Sequence, residues 1–535
     1  MKLFTCLLSI LFFSGLIAQN TFQSDLPIIN IDTKGQGIPD VTYIKAGMGI
    51  IYNGPGQKNA SDGSANHFSG SVSLSLHGSS SNTYSPKKSY SFKIINNAGI
   101  ATDISILGLP AEHSFVLIAS YFDKTFLRNT LTYRLFGYMG HYSPRTKYVE
   151  LILNGQYQGL YILIEKIKRG KDRVDISKLD KKDLSGQDLT GGYIIKIDRV
   201  DKGGGDGWYS KYKKDIRDSL PAYFQYDYPD YDSIQAEQKE YIKNYINEFD
   251  ELMNRSDIKG YGNYIDVNSF VDKILINEMA KNVDGYRLSE YIYKEKDLSW
   301  RPGYIFDGPA WDYDIAWANA NYGNSNDETR WQYKEREGAF YSPGWWRRLM
   351  EDPYFKDKLY CRYNQFRKTF LKDENIYKYI DSTALALAEP LQRNYNRWPT
   401  MKDTLHFSPL PIPGSYNGEL DVLKGWIARR LKWMDANIQG VCRPEFSAIN
   451  YAEAGSKSIV PNPFTDVVKI SLGSNDNGGY KINVYNIVGA RVFSDNLAAG
   501  QSSKDISLKG LKTGMYLLEL SKGEEKWVRK LIKTD

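Results

Sequence analysis

Cysteine is scarce in this chain: three residues in 535, of which Cys6 lies in an apolar leader and only Cys361 and Cys442 remain beyond it. Two thiols cannot build a disulfide framework or a four-cysteine zinc site, and they are left either to pair or to stay as separate buried thiols. Histidine is scarcer than its usual share, and His67, His77, His113, His141 and His406 form no H-E-x-x-H or other close zinc spacing. No G-x-S-x-G elbow and no Walker A sequence occurs. Net charge is only +6, with Lys+Arg 69 against Asp+Glu 63. That is far from the concentrated basic stripe needed to bind a polyanion, so no nucleic-acid partner is expected. Beyond the first twenty residues no apolar run approaches the ~18 residues that cross a bilayer, so no transmembrane helix is expected in the mature chain.

What is present starts with "MKLFTCLLSILFFSGLIAQN". A basic start, a short apolar run and a small-residue exit read as a signal peptide over residues 1–18. The length then allows two to four domains. At the other end, "VVKISL", "YKINVYNI", "DISLKG", "MYLLEL" and "KWVRKLIK" are short alternating strands broken by Gly, Asn and Asp, which predicts a small antiparallel β-sandwich over 457–535. The motifs Pro461-Asn462-Pro463-Phe464, Tyr485-Asn486-Ile487-Val488-Gly489, Leu511-Lys512-Thr513-Gly514-Met515-Tyr516 and Lys530-Leu531-Ile532-Lys533 resemble the C-terminal sorting domain of the type IX secretion system. That resemblance implies export by Sec, a type IX machinery partner, and release or display at the outer cell surface. Residues 446–456 then read as a linker.

The remaining body, 19–445, changes character half-way. Its first half alternates with period two, as in "SVSLSLH", "KSYSFKII", "YVELILN" and "GLYILIEKI". Its second half repeats apolar residues at steps of three and four, as in "KEYIKNYINEFDELM" and "VDKILINEMAKN". The fold class expected is α+β: a β-rich part followed by a helical part, with a cleft between them. In "PKKSYSFKI", period two puts Lys88 on the face of Tyr90, Phe92 and Ile94, with Lys87 and Lys93 opposite. Glu165 shares its face with Tyr161, Leu163 and Ile167. A lone buried charge is costly, so a Lys88 to Glu165 pair is one expectation. A Lys88 that snorkels to water is the other, and Lys93 is a rival for the cation.

The densest chemistry lies in "FDGPAWDYDIAW", where Asp307, Asp312 and Asp314 sit among five aromatic or aliphatic side chains. If residues 311–315 are extended, Asp312 and Asp314 point the same way roughly 6.6 Å apart. Partly desolvated, two such charges repel by about 2.5 kcal/mol. A divalent cation, Mg2+ or Mn2+, relieves that repulsion and prefers carboxylate oxygen. Turn capping within an aromatic core is the plainer role for any single one of them. Upstream, Asp284 stands where a helical pattern stops at Asn282-Val283-Asp284-Gly285.

The stretches "HGSSSNTYSPKKSYSFKI", "YFDKTFLRNTLTYRLFGYMG", "YVELILNGQYQGLYILIEKIKRGKDRVDISKL", "LTGGYIIKID", "KNVDGYRLSEYIYKEKD" and "GPAWDYDIAWANANYG" resemble, in order, the CotH kinase family of spore-coat-type atypical kinases. The resemblance runs from about residue 26 to 440. It implies an atypical, kinase-like two-lobed domain that transfers the γ-phosphoryl of ATP, with Mg2+ or Mn2+, to a hydroxyl of a secreted or envelope protein. Asp284 falls at the family's catalytic aspartate and Asp312 at its metal-binding aspartate. Asp307 matches a further acidic position, and Asp314 ranks last because the family pattern carries Asn there. Lys88, Lys87 and Lys93 match the lysine-rich strand that holds phosphate, with Glu165 as partner.

The family's usual Asn is replaced by Ser289, a weaker metal ligand, and G-x-G-x-x-G-x-V, H-R-D and D-F-G are absent. Three other readings follow from these departures and from the residue types. One is a catalytically inactive CotH-like surface module that binds glycans or partner proteins. The second is a paired-carboxylate glycosidase using Glu165, Asp284 and Asp312. The third is a plain adhesive β-domain at the C-terminus.

Overall fold

The computed structural model describes residues 21–200, 205–212, 221–298, 301–335, 342–443, 458–460, 464–472, 478–486, 490–523 and 525–534. The expected signal peptide, the linker at 446–456, and Pro461 to Pro463 lie outside the described residues, as do Ile487 to Gly489. The chain forms two compact units: one runs to Arg348 and resumes at Thr369–Ala436, and the other joins Leu349–Lys368 to Asn437 onward.

In the first unit seven strands close into a barrel. They are β1 (Ile28–Asp32), β2 (Ile44–Ile51), β3 (Phe68–His77), β4 (Ser89–Ile95), β5 (Ser114–Ile118), β6 (Thr146–Leu153) and β7 (Gln156–Glu165). The order is β1-β2-β3-β4-β5-β7-β6, and a parallel pairing of β1 with β6 shuts the ring. Alternation sets what fills it: Ile29 and Ile31, Met48 and Ile50, Val72 and Leu74, Phe92 and Ile94, and Tyr161 and Leu163 share one core.

Helix α6 (Ala388–Arg397), from far along the chain, packs against β7. Asn394 Oδ1 accepts from Lys87 Nζ at 2.9 Å and from the Leu160 N–H at 3.2 Å. Gly159, at φ +103°, makes room for it, since a Cβ there would come within 2.5 Å of that oxygen.

A second, five-stranded sheet follows in the order β9-β10-β8-β11-β12. Its strands are β8 (Tyr193–Ile197), β9 (Gly207–Tyr209), β10 (Tyr223–Tyr228), β11 (Glu290–Lys294) and β12 (Ile305–Asp307). Two of these come from the half that helical periodicity dominates, so the α+β class holds while the strands reach further along the chain than expected. The helices that matter below are α1 (Arg128–Tyr138), α2 (Ala236–Met253), α3 (Val267–Ala280), α5 (Asp373–Ala386) and α7 (Tyr416–Asn437). Helix α3 begins at Asp266, whose side chain accepts the Ser269 N–H, and ends at Lys281 in the left-handed region. It is buried along almost its whole length.

The second unit holds α4 (Pro353–Arg367) and seven short strands. They form two antiparallel sheets, β13-β14-β17 and β16-β15-β18-β19, from β13 (Ser458–Val460), β14 (Val467–Ser471), β15 (Gly478–Asn486), β16 (Arg491–Ala499), β17 (Ser503–Ser507), β18 (Gly514–Lys522) and β19 (Glu525–Lys533). Val468, Ile470 and Ile506 from one sheet meet Ile482, Val484, Leu518 and Leu520 from the other in a common core. Cys361 and Cys442, left open by the sequence, are joined as a disulfide in this unit.

Candidate active site

The acidic segment after β12 is clamped by one face of α1. Asn129 Oδ1 accepts the Tyr313 N–H at 2.7 Å, Tyr133 Oη accepts the Asp312 N–H at 3.2 Å, and Thr132 Oγ1 accepts Trp317 Nε1 at 2.8 Å. Residues 129, 132 and 133 recur at the three- and four-residue spacing of one helix face. On the other side, Tyr313 Oη donates to Asn277 Oδ1 of α3 at 2.5 Å. The rings are thus the fasteners: Tyr313 and Trp317 are buried, while Asp312 is exposed and Asp314 half-buried. Asp312 holds φ +64°, a conformation that costs free energy in a non-glycine residue and persists because these bonds over-determine it.

Around this segment four carboxylates gather. Asp312 is open to solvent, yet its carboxyl is pushed up to about 6, first by desolvation from the surrounding protein and then by the charges of Asp284 and Asp198. Asp314 is held well above the usual range, first by burial and then by Asp312, with which it shares a hydrogen bond. Ser289 Oγ donates to Asp312 Oδ2 at 3.4 Å, so the structure brings these two expected site residues together.

Asp284 lies in a stiff turn after α3. Its N–H donates to Asn282 Oδ1, and Glu290 Oε1 ties Tyr286 N and Asn277 Nδ2 together beneath it. Asp284 Oδ1 accepts from Arg287 Nη2 at 3.0 Å and from Tyr322 Oη at 3.3 Å.

Cations and an aromatic wall complete the site. Lys166, just past β7, and Lys196, on β8, lie close enough to His77 that, after burial, they are the charges lowering it to about 4. His77 pairs with Ser91 Oγ at 2.9 Å and meets the edge of Trp311 at 6.4 Å. Trp311 in turn stacks on Tyr133 and touches Tyr291. Lys196 and Asp198 are 3.9 Å apart.

Sequence reasoning missed Lys166, Lys196, Asp198 and His77. Period two offered a signal, because Lys196 and Asp198 are like-facing charges at the end of the apolar run "YIIKID".

Several expectations are corrected. Lys88 does not pair with Glu165. Its Nζ donates to the carbonyls of Asn82 and Ser85, each at 2.6 Å, and closes the Ser-rich turn. The inward lysine is Lys87, whose Nζ donates to Ala119 O, Leu160 O and Asn394 Oδ1 and lies over the Tyr161 ring. The strand starts only at Ser89, so the alternation does not extend back through either lysine. Burial pulls Lys87 well below its ordinary value.

Glu165 is fully buried, as expected, but it binds Arg145 Nε and Nη2 at 3.0 and 2.9 Å, with Arg173 at 3.9 Å. Five residues separate Glu165 from Leu160, roughly 16 Å along the strand, which keeps it from Lys87. Lys93 lies over the Tyr43 ring instead. Asp307 is buried at the end of β12, where it accepts Trp346 Nε1 at 2.6 Å beside the Lys273 to Glu290 pair. The Gly308-Pro309 turn therefore leaves Asp307 in the core and carries only Asp312 and Asp314 to the carboxylate cluster.

The model of the CotH kinase protein family matches residues 74–434. The chain belongs to the CotH kinase family. The match covers β3 to α7, hence every residue of the site just described. A second model, the secretion system C-terminal sorting domain, matches residues 458–534, the region read above as a type IX sorting domain. A search of curated proteins returned no match. Among the described residues, no helix of this CotH-family chain is long and apolar enough to cross a membrane.

Proposed function

We propose that this chain is a secreted or surface-displayed phosphotransferase of kinase-like, two-lobed design that moves the γ-phosphoryl of ATP to a Ser, Thr or other hydroxyl of an envelope or extracellular protein. The observation that carries this reading is the gathering of Asp198, Asp284 and Asp314 around Asp312, with Lys196 3.9 Å from Asp198 and Lys166 joining Lys196 near His77. Phosphoryl transfer asks mainly for positioning and charge neutralisation, and those are the residue types it needs.

The donor set fits Mg2+ or Mn2+: the paired Asp312 and Asp314 supply hard oxygen, and such ions take few protein ligands, completing their sphere with phosphate and water. When bound, the ion spreads the charge that develops on the phosphates. Lys166 and Lys196 hold the polyphosphate, the wall of His77 and Trp311 flanks the nucleotide, and Asp284 orients the acceptor hydroxyl. Asp307, Lys87, Lys88, Lys93 and Glu165 serve the fold. The tail is the partner of the type IX secretion machinery, and domain limits of 19–445 and 457–535 are proposed accordingly.

The test is incubation of the mature chain with Mg2+ or Mn2+ and γ-labelled ATP, scoring transfer to itself and to envelope proteins. Labelling is expected in the wild type and its loss in Asp284→Ala and Asp312→Ala. Equal labelling in both variants refutes the site. No nucleotide binding at all favours a silent surface module that binds glycans or proteins.

A further inference from the structure

Resting on that reading, we infer that Arg287 and Tyr322 are positioning residues that hold the Asp284 carboxylate so that one oxygen alone faces the acceptor. Both donors converge on Oδ1, at 3.0 and 3.3 Å. Among the described residues Oδ2 accepts no hydrogen bond, and it is the atom left for an incoming hydroxyl.

The two donors reach Asp284 from independent elements. Arg287 sits one turn onward, its Nε fixed on Val283 O at 3.0 Å, and its side chain is 11% exposed. Tyr322 arrives from the loop after the acidic segment and packs with Phe122, Val283 and Phe407. That loop is tied by Asn321 Nδ2 to His406 O and by the Ala320 N–H to Ser325 Oγ. Gly323 beside it has φ +62°, and a Cβ there would lie 3.1 Å from Val283, so the loop approaches as closely as glycine permits.

Neither donor is lost over the working pH range. A guanidinium remains charged, and the Tyr322 phenol is raised well above its ordinary value by burial and then by Asp284. The carboxylate cannot rotate its free oxygen away without breaking two bonds, one of them to a guanidinium. The step served is balanced: the acceptor oxygen bonds to the γ-phosphorus, the bond from that phosphorus to the bridging oxygen breaks, and the nucleoside diphosphate leaves. The hydroxyl proton passes to Asp284 Oδ2.

The experiment measures kcat and nucleotide KM for Tyr322→Phe, Arg287→Gln and Arg287→Lys, alone and combined with Asp284→Asn. The single variants are expected to lower kcat by about 10- to 100-fold with nucleotide KM almost unchanged, because a misplaced carboxylate costs orientation and not binding. Arg287→Lys should recover part of the loss. In the Asp284→Asn background, Tyr322→Phe should cost nothing further. Full additivity, or a change confined to KM, overturns the inference.

A thermal-unfolding double-mutant cycle between Tyr322→Phe and Asp284→Asn reads the same lock without turnover. If the wild type transfers no phosphate, the functional reading fails. If this cycle shows no coupling, the inference fails whatever the activity.

Discussion

At the scale of single residues, Asp312 links acidity and stability to the metal proposed for it. Its carboxyl stands at about 6, raised by desolvation and by neighbouring carboxylates. An acid raised on folding gives a contribution to stability that is fullest below its unfolded value and is lost as pH rises through about 6. The metal-free protein therefore tolerates an ionised Asp312 at a cost above that pH. Two outcomes are expected. With sub-saturating metal, transfer should rise with pH through a midpoint near 6, and added metal should move that midpoint down, read from pH–rate profiles.

Asp312→Asn should raise the melting temperature of the metal-free chain at pH 7.5 while abolishing transfer, and Mg2+ or Mn2+ should raise the melting temperature of the wild type only. A lower melting temperature for Asp312→Asn would remove the argument. Much of this was legible in the sequence. Three aspartates within eight residues, framed by rings, signalled charge under strain. Which of them shared a site was not legible, because the turn at Gly308-Pro309 decides it and no periodicity runs through a turn.

At the scale of elements, the barrel shows where period two works and where it stops. Alternation named Tyr90, Phe92, Ile94, Tyr161, Leu163 and Glu165 as inward, and all are buried. It misjudged the lysines by one residue because β4 begins after them. Closure itself was hidden, since open sheets and barrels alternate alike, and the parallel pairing of β1 with β6 joins residues some 120 apart.

The roles given to Lys87 and Glu165 are open to measurement. Lys87→Met strips three buried acceptors of their donor, and Glu165→Ala leaves Arg173 without its carboxylate in the interior. Each should destabilise by on the order of 3–5 kcal/mol in denaturant titration. Nucleotide KM of the folded fraction should stay unchanged. A raised KM with unaltered stability would return these residues to the nucleotide site.

At the scale of the whole molecule, both ends of the family assignment were readable as ordered motifs, whereas helical periodicity over 353–371 could not say which core the helix would join. The structure places α4 in the unit with the tail and fixes it there through Cys361 and Cys442, 81 residues apart in sequence. Chain-entropy arguments assign such a loop on the order of 4 kcal/mol. Cys361→Ser with Cys442→Ser should therefore lower the unfolding midpoint, and a reductant should reproduce the effect in the wild type alone. Identical melting of the two chains under oxidising conditions would show that the bridge contributes nothing.

The seat of α6 on the barrel has a bearing on how the chain comes into being. Lys87 and Asn394 are separated by 307 positions. A polypeptide emerging amino end first delivers all seven barrel strands before the helix that satisfies their buried lysine. Until α6 arrives, the Lys87 side chain is short of one of its three acceptors. Completion of the earliest-made part is thus deferred to nearly the last stretch of the CotH-family region.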